Sequence, residues 1–396
     1  MAVEVRGGAA PPSVAVWNDP RARAIIFQAL ALAAVVAFGL YIFNNTYTNL
    51  EKRGIASGFA FLGSTAGFGI IMHLIPYAED SSYGVAMLVG LLNTLAVAAV
   101  GIVLATVLGF VVGIARLSRN WLISRIAYVY IESMRNVPLL LQIFFWYQLL
   151  GKSVPGPKQS IVFLDIFFLN NRGFYTPAPV FEEGFWEIVV GFVVACIGSF
   201  YLSRWSRRRQ EATGQQFPVF LTSLGLIVVL PLLVALVAGM PFHWDYPSLQ
   251  GFNFTGGMVL IPEFVSLTFA LVVYTAAYIG EIVRSGIVAV SHGQTEAAYS
   301  LGLRPGPTLR LVVIPQAMRI IIPPLTSQFL NLTKNSSLAT AIAYPDLVAV
   351  FAGTILNQTG QAVECMAITM AIYLTTSLLT SMFMNWFNAS VALKER

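Results

Sequence analysis

The chain has 396 residues, of which 57% are hydrophobic and only 10% charged, against about 25% charged in an ordinary soluble domain; its mean hydropathy is +0.74. These values exclude a soluble globular protein and place the chain in a lipid bilayer. The formal charge of +5 does not point to nucleic acid, because membrane proteins distribute Lys and Arg unevenly across the bilayer.

At the N-terminus only Arg6 stands as a basic residue before Ala9-Ala10-Pro11-Pro12. The first apolar run begins near Ala24 and is too long for a signal-peptide core, so it reads as a retained anchor. A helical span needs roughly 20 apolar residues. Eight segments qualify: Ala24 to Phe43, Val85 to Val112, Val137 to Leu150, Phe185 to Leu202, Phe217 to Met240, Phe264 to Ile282, Ile320 to Ala343 and Cys365 to Trp386. The third is short unless its polar lead from Ile126 joins it. Ile55 to Tyr77 is also apolar, but Gly58, Gly63, Gly67 and Gly69 make it a poor helix, and it reads as an external re-entrant or surface segment. The two cysteines, Cys196 and Cys365, fall in apolar spans and give neither a disulfide framework nor a metal cluster.

The second span carries Gly101, Ala105, Gly109 and Gly113, a ridge of small residues that lets another helix approach closely, although a lipid-facing helix would tolerate the same residues. After a basic turn at Arg116 to Arg125 comes YIESMRNVPLLLQIFFWY, Tyr130 to Tyr147, holding Glu132, Arg135, Asn136, Pro138 and Gln142. Pro138 is cheap near the start of a span, and Glu132 and Arg135 are spaced as a solvated helix-turn pair or a gating contact. Residues 151–184 are polar and rich in Pro, Gly and Phe. The arginine run in Arg204 to Gln216 reads as an anchor facing anionic headgroups. From Pro241 to Pro262 the chain is expected outside, with Trp244, Tyr246 and Trp186 at the membrane edges.

Charge placement sets the expected orientation. With eight spans and a cytoplasmic N-terminus, seventeen Lys and Arg residues fall inside, and five fall outside: Lys52, Arg53, Lys152, Lys158 and Arg172. Lys334 is left within a span. The bias favours both termini in the cytoplasm.

The longest polar interruption of the C-terminal half, Ser291 to Ala317, then lies inside. It holds Glu296-Ala297-Ala298, three residues, Gly302, nine residues, then Val312-Val313-Ile314-Pro315, with Arg304 just after the glycine. Gln294 to Leu301 are good helix formers, and Gly302 suits the left-handed turn that ends a helix. This spacing resembles the EAA loop of ABC-importer permeases, with Val312 for Ile and Ile314 for Leu. The resemblance implies that Glu296, Ala297, Ala298, Gly302, Arg304 and Pro315 belong to a helix that couples to a separate ATPase subunit.

Two further stretches resemble the amino-acid subgroup of these permeases. One is Glu132, Arg135, Asn136, Pro138 and Gln142; the other is Ala277, Tyr278, Glu281, Arg284 and Gly286 in the sixth span. The family often has Lys-Asp-Ser-Ser-Leu where this chain has Lys334-Asn335-Ser336-Ser337-Leu338, so a counter-ion beside the lysine is lost here. The resemblance covers spans two, three, six, seven and eight, the usual five-helix core, and is closest to the larger permeases of general L-amino-acid importers. It implies an all-α polytopic membrane protein in four parts. Residues 1–84 are an N-terminal anchor and external segment, 85–150 the first part of the core, 151–262 an insert with two extra spans, and 263–396 the second part with its coupling loop.

The implied partners are an ABC ATPase dimer that binds ATP and Mg, a second homologous permease subunit, an external amino-acid-binding protein and membrane lipid. No cofactor is expected on this chain. Ser327, Asn331, Lys334 and Asn335 advance along one face of the seventh span and are the candidate translocation path, with Gln142 from the third. Glu132, Arg135, Glu281 and Arg284 are gating or interface candidates. A secondary transporter should show intramembrane carboxylates or an internal repeat, and neither is evident. A membrane enzyme fares worse, since His73, His243 and His292 stand outside any metalloprotease motif and Gly151-Lys152-Ser153 lacks the rest of a phosphate loop.

Overall fold

The computed structural model describes residues 20–52, 57–251 and 253–391. Helix α1 (Pro20–Lys52) precedes a non-helical segment, and α2 (Tyr83–Arg116) then starts where the Ser82 hydroxyl accepts the Val85 amide at 3.4 Å. That bond satisfies one of the first-turn amides that a helix cannot pair internally.

The core forms around α2 and α7 (Pro262–Val288), which run side by side in the same direction. Gly109 faces Ala276 and Ile279, and Gly113 faces Gly280 and Val283. A Cβ on Gly109 would lie 2.6 Å from Ile279, and one on Gly113 would lie 2.7 Å from the Gly280 carbonyl oxygen. The small-residue ridge therefore faces protein rather than lipid, and two backbones meet where any side chain would hold them apart. Across this seam α10 (Ile314–Asn335) adds Ile321, Leu325 and Leu332 to a buried cluster with Val97, Leu267, Leu271 and Ile279.

The expected third span is broken. α3 (Trp121–Asn136) and α4 (Leu139–Ser153) are separated by Val137 and Pro138, both extended. Pro138 has no amide to donate and biases the residue before it away from helix. At 1.5 Å per residue α4 is only about 22 Å long, short of a roughly 30 Å hydrocarbon core. Both halves nevertheless lie along α7. The Tyr130 hydroxyl donates to the Val273 carbonyl at 2.7 Å, Trp146 meets Phe269 edge-on at 4.6 Å, and the Tyr147 hydroxyl donates to Glu263 at 3.0 Å. Among the described residues seven helices, not eight, are individually long and apolar enough to cross a membrane. The expected third span is thus a tandem of two shorter helices.

Residues 57–81 form no span, in keeping with their glycines. They hold a single 3₁₀ turn, Ala60–Gly63, and bury Phe61, Ala66 and Ile70 against Ala86, Val89, Phe351, Ile355 and Cys365. The Gly58 amide donates to Glu364 at 2.7 Å, tying this cap to the start of α12 (Ala362–Val391). Between α10 and α12 the chain passes through a 3₁₀ stretch (Ser336–Ile342), a left-handed Ala343, a π-helical stretch (Val348–Ile355) and α11 (Leu356–Thr359).

Residues 151–262 contain α5 (Phe185–Thr213) and α6 (Val219–Val237), packed on each other as a hairpin. Its flanks contain eight short strands that the all-helical reading does not anticipate. β1 (Ile161–Phe163), β2 (Phe167–Asn170) and β3 (Gly173–Thr176) pair antiparallel, and β8 (Met258–Leu260) joins beside β3, with Phe174 opposite Leu260. β4 (Ala178–Phe181) pairs with β5 (Phe242–Asp245), and β6 (Ser248–Gln250) with β7 (Asn253–Thr255). Strands of three or four residues are too short to show the period-two pattern that marks a strand in a sequence.

Candidate functional site

The polar loop between α7 and α10 folds as α8 (His292–Ser300) followed by the single turn α9 (Pro305–Thr308). Helix α8 ends in a Schellman arrangement: the Leu303 amide donates to the Ala298 carbonyl at 3.1 Å and the Gly302 amide to Tyr299 at 2.9 Å. Gly302 has φ +79°, a conformation that a side chain disfavours. The two alanines divide the work, since Ala298 is buried and seats the helix while Ala297 faces out. Glu296 is exposed and its carboxylate lies 3.0 Å from the His292 Nδ1 one turn earlier. Arg304 is exposed and caps α9 through its carbonyl, which accepts from Thr308. Pro315 occupies the first turn of α10, where a missing amide costs little. The Gln316 side chain donates to Gln294 at 3.3 Å and ties the base of α10 to α8. Tyr299, Leu301, Leu309 and Leu311 stand exposed around this rigid turn, leaving an apolar surface beside Glu296.

On α10, Ser327, Asn331 and Lys334 are exposed and Asn335 is half-buried, on the side away from Ile321, Leu325 and Leu332. Pro323 and Pro324 share that exposed side, and their missing amides leave the carbonyls of Arg319 and Ile320 without helical donors. The result is a polar stripe on a helix of membrane-crossing length. Gln142 is turned elsewhere: its amide nitrogen donates to the Met134 and Val137 carbonyls at 2.9 and 3.0 Å, closing the end of α3 where the chain breaks.

Glu281 and Arg284 form a half-buried ion pair, with Arg284 Nε donating to Oε2 at 2.9 Å. Glu132 and Arg135 do not pair with each other among the described residues. Arg135 instead lies over the Tyr278 ring, 5.2 Å from its centre, and the Asn136 amide donates to the Glu132 carbonyl. The spacing of Glu132 and Arg135 permits a pair, but the aromatic face one helix away holds the guanidinium.

One polar cluster was not legible in the sequence. Asn93, fully buried in α2, donates to the Met72 and Pro345 carbonyls at 2.8 and 2.9 Å, and its own carbonyl accepts the Tyr344 hydroxyl at 3.1 Å. Thr94 Oγ1 accepts the Leu347 amide at 3.0 Å. Between them Asp346 is fully buried, with Oδ1 accepting the Ala349 amide at 2.8 Å and Oδ2 without a partner. Burial pushes its carboxyl up to about 7. The signal that would have found this cluster is a lone Asn in an apolar span together with a lone Asp after Tyr344-Pro345.

Residues 187–393 match the family described as the binding-protein-dependent transport system inner membrane component. The chain is 54% identical over 380 residues to a putative amino-acid ABC transporter permease of Escherichia coli K12, YhdX, covering 96% of this chain and 97% of that one. It is 53% identical over 378 residues to the general L-amino acid transport system permease AapQ of Rhizobium johnstonii, covering 96% and 94%. It is 45% identical over 409 residues to BztB of Rhodobacter capsulatus, a glutamate/glutamine/aspartate/asparagine transport permease, covering 96% of both.

Proposed function

The chain belongs to the binding-protein-dependent transport system inner membrane component family, as an amino-acid ABC transporter permease, and from that premise we propose a broad-specificity role in L-amino-acid import. It is a transport permease rather than a catalytic enzyme. In this reading it lies in the bacterial inner membrane with both termini cytoplasmic, works beside a second homologous permease subunit, and receives substrate from an external binding protein. ATP and Mg bind on a separate ATPase dimer. Residues 85–150 and 263–396 supply the transport core, and residues 151–262 are the insert.

The observation that carries the coupling reading is α8 itself: a short helix, locked at its end by Gly302, that holds Glu296 and an apolar rim outward at the end of the two central spans. A rigid exposed helix can pass a push from a partner into α7 and α10 without bending. The polar stripe Ser327, Asn331 and Lys334 supports a path along α10, because polar groups at membrane depth turn toward a cavity or a partner helix.

The test is ATP-dependent amino-acid uptake in vesicles holding the whole complex, with the ATPase omitted as control. Gly302→Val is expected to insert and assemble, yet to lose uptake and substrate-stimulated ATP hydrolysis by tenfold or more, about 1.4 kcal/mol of coupling. Normal uptake and stimulation in that variant would remove α8 from the coupling role.

A further inference from the structure

At the corner where α2 ends and α3 begins, two guanidinium groups share one aromatic ring. The Cζ of Arg116 lies 4.5 Å from the centre of the Tyr128 ring and that of Arg125 lies 5.1 Å from it. The Ser124 hydroxyl donates to the Arg116 carbonyl at 2.9 Å, which pins the first turn of α3 against the end of α2 and keeps the two arginines together. A ring quadrupole attracts a cation but leaves its charge in place, so the two like charges still repel.

Neither arginine forms an ion pair with an acid among the described residues. The sequence contains no Asp or Glu from 81 to 131. Among the described residues no carboxylate lies within ion-pair distance of either arginine. Glu281 on the neighbouring α7 is held by Arg284, and Arg135 and Arg116 both add to the field around it. Three arginines, Arg116, Arg135 and Arg284, thus act on this one carboxylate, and Arg125 shares the Tyr128 ring with Arg116. Outside it, α3 exposes Trp121, Leu122, Ile126 and Val129.

We propose that Arg116, Arg125 and Tyr128 form a binding site for the phosphate of an anionic phospholipid. Guanidinium groups match phosphate oxygens through paired N–H donors, and the shared ring fixes the position of both groups for that contact. A lipid fits better than free phosphate because the arginines stand at the end of a membrane-crossing helix, at headgroup depth, beside an apolar helix face that meets acyl chains. The bound headgroup supplies the missing negative charge and fastens the α2–α3 corner next to α7. This site lies apart from the coupling loop and the α10 stripe, and it needs only that the chain is membrane-embedded.

The experiment places the assembled complex in nanodiscs of phosphatidylcholine with increasing phosphatidylglycerol, reading retained lipid by native mass spectrometry and stability by thermal melting. The wild type is expected to retain at least one more phosphatidylglycerol per chain than R116Q/R125Q and to melt higher as that lipid saturates. K52Q/K152Q, at two exposed lysines expected on the opposite side of the membrane, is expected to keep both effects. Equal retention by wild type and R116Q/R125Q overturns the proposal. So does displacement of the retained lipid by inorganic phosphate with equal protection, which assigns the corner to the free ion. If R116Q/R125Q does not assemble, the wild-type titration decides alone, and melting that does not depend on phosphatidylglycerol sinks the idea.

Discussion

Helices α7 and α6 are both apolar and both long enough to cross a membrane, yet 67% of the most apolar window of α7 is buried within the chain against 6% for α6. α7 meets α2 through Gly109 and Gly113 and meets α10 through Gly286, where an added Cβ would collide with the Ile321 side chain. The α5–α6 hairpin packs chiefly on itself, and α6 turns Leu221, Val229, Leu233 and Val237 outward. Hydropathy alone cannot distinguish the two, because a lipid tail and a leucine from another helix are equally apolar. What separates them is where small residues let backbones touch.

That contrast is broken most severely by filling the core seam. Gly113→Leu puts a side chain where the Gly280 carbonyl already stands, and overpacking of this kind typically costs about 1–3 kcal/mol or more. The variant should be recovered in low yield, with a melting temperature lowered by many degrees and no uptake. A complex that melts and transports like the wild type would mean that α2 and α7 are not in contact.

The core's outward polar stripe is the next place to press. Lys334 makes no ion pair among the described residues and stands exposed on α10. If it meets the substrate carboxylate, Lys334→Met should lower uptake of every amino acid by about tenfold, equivalent to one charged contact of about 1.4 kcal/mol, while assembly and basal ATP hydrolysis persist. Unchanged uptake in assembled complexes would leave a lysine whose stem merely carries its charge to the headgroups.

Much of this architecture was readable from residues, for identifiable reasons. The ridge from Gly101 to Gly113 announced a close helix contact, and the glycines of 57–81 ruled out a span. Gly302 marked a helix end because few other residues accept φ +79°. The break at Pro138 was not foreseen, since a proline near the start of a span is often harmless and the gap between α3 and α4 is only Val137 and Pro138. The strands escaped because pairing such as β3 with β8 joins residues some 85 positions apart across the α5–α6 hairpin, beyond any local pattern. Asn93 and Asp346 escaped for the same reason: their partnership lies in the fold.

The buried cluster sharpens the picture of the core with a smaller, pH-dependent effect. The Asp346 carboxyl is held up to about 7 in the folded chain, against about 3.9 when unfolded. Between those values the folded chain keeps a proton that the unfolded chain has released, so this group's contribution falls as pH rises from about 4 to about 7 and levels off above that. The wild-type complex should melt several degrees lower at pH 8 than at pH 5.5 because of this residue. Asp346→Asn keeps an oxygen for the Ala349 amide and removes the titration, so its melting temperature should change less over the same range. Equal slopes in the two proteins would show that the carboxyl titrates at an ordinary value.

The smallest effect is expected in the hairpin. Gly225 on α6 has no atom outside its own helix within 4 Å of an added Cβ, and it lines an apolar groove with Gly198, Leu202, Leu226 and Val229. If lipid fills that groove, Gly225→Leu exchanges one apolar contact for another and adds helix propensity worth at most about 1 kcal/mol. Uptake, complex yield and melting should then stay at wild-type levels, in contrast to Gly113→Leu, which adds a side chain of the same size. A loss of yield or uptake in Gly225→Leu would give the groove a different meaning. It would place a helix of another subunit against α5 and α6, and the hairpin would count as part of the assembled core rather than as a lipid-facing addition.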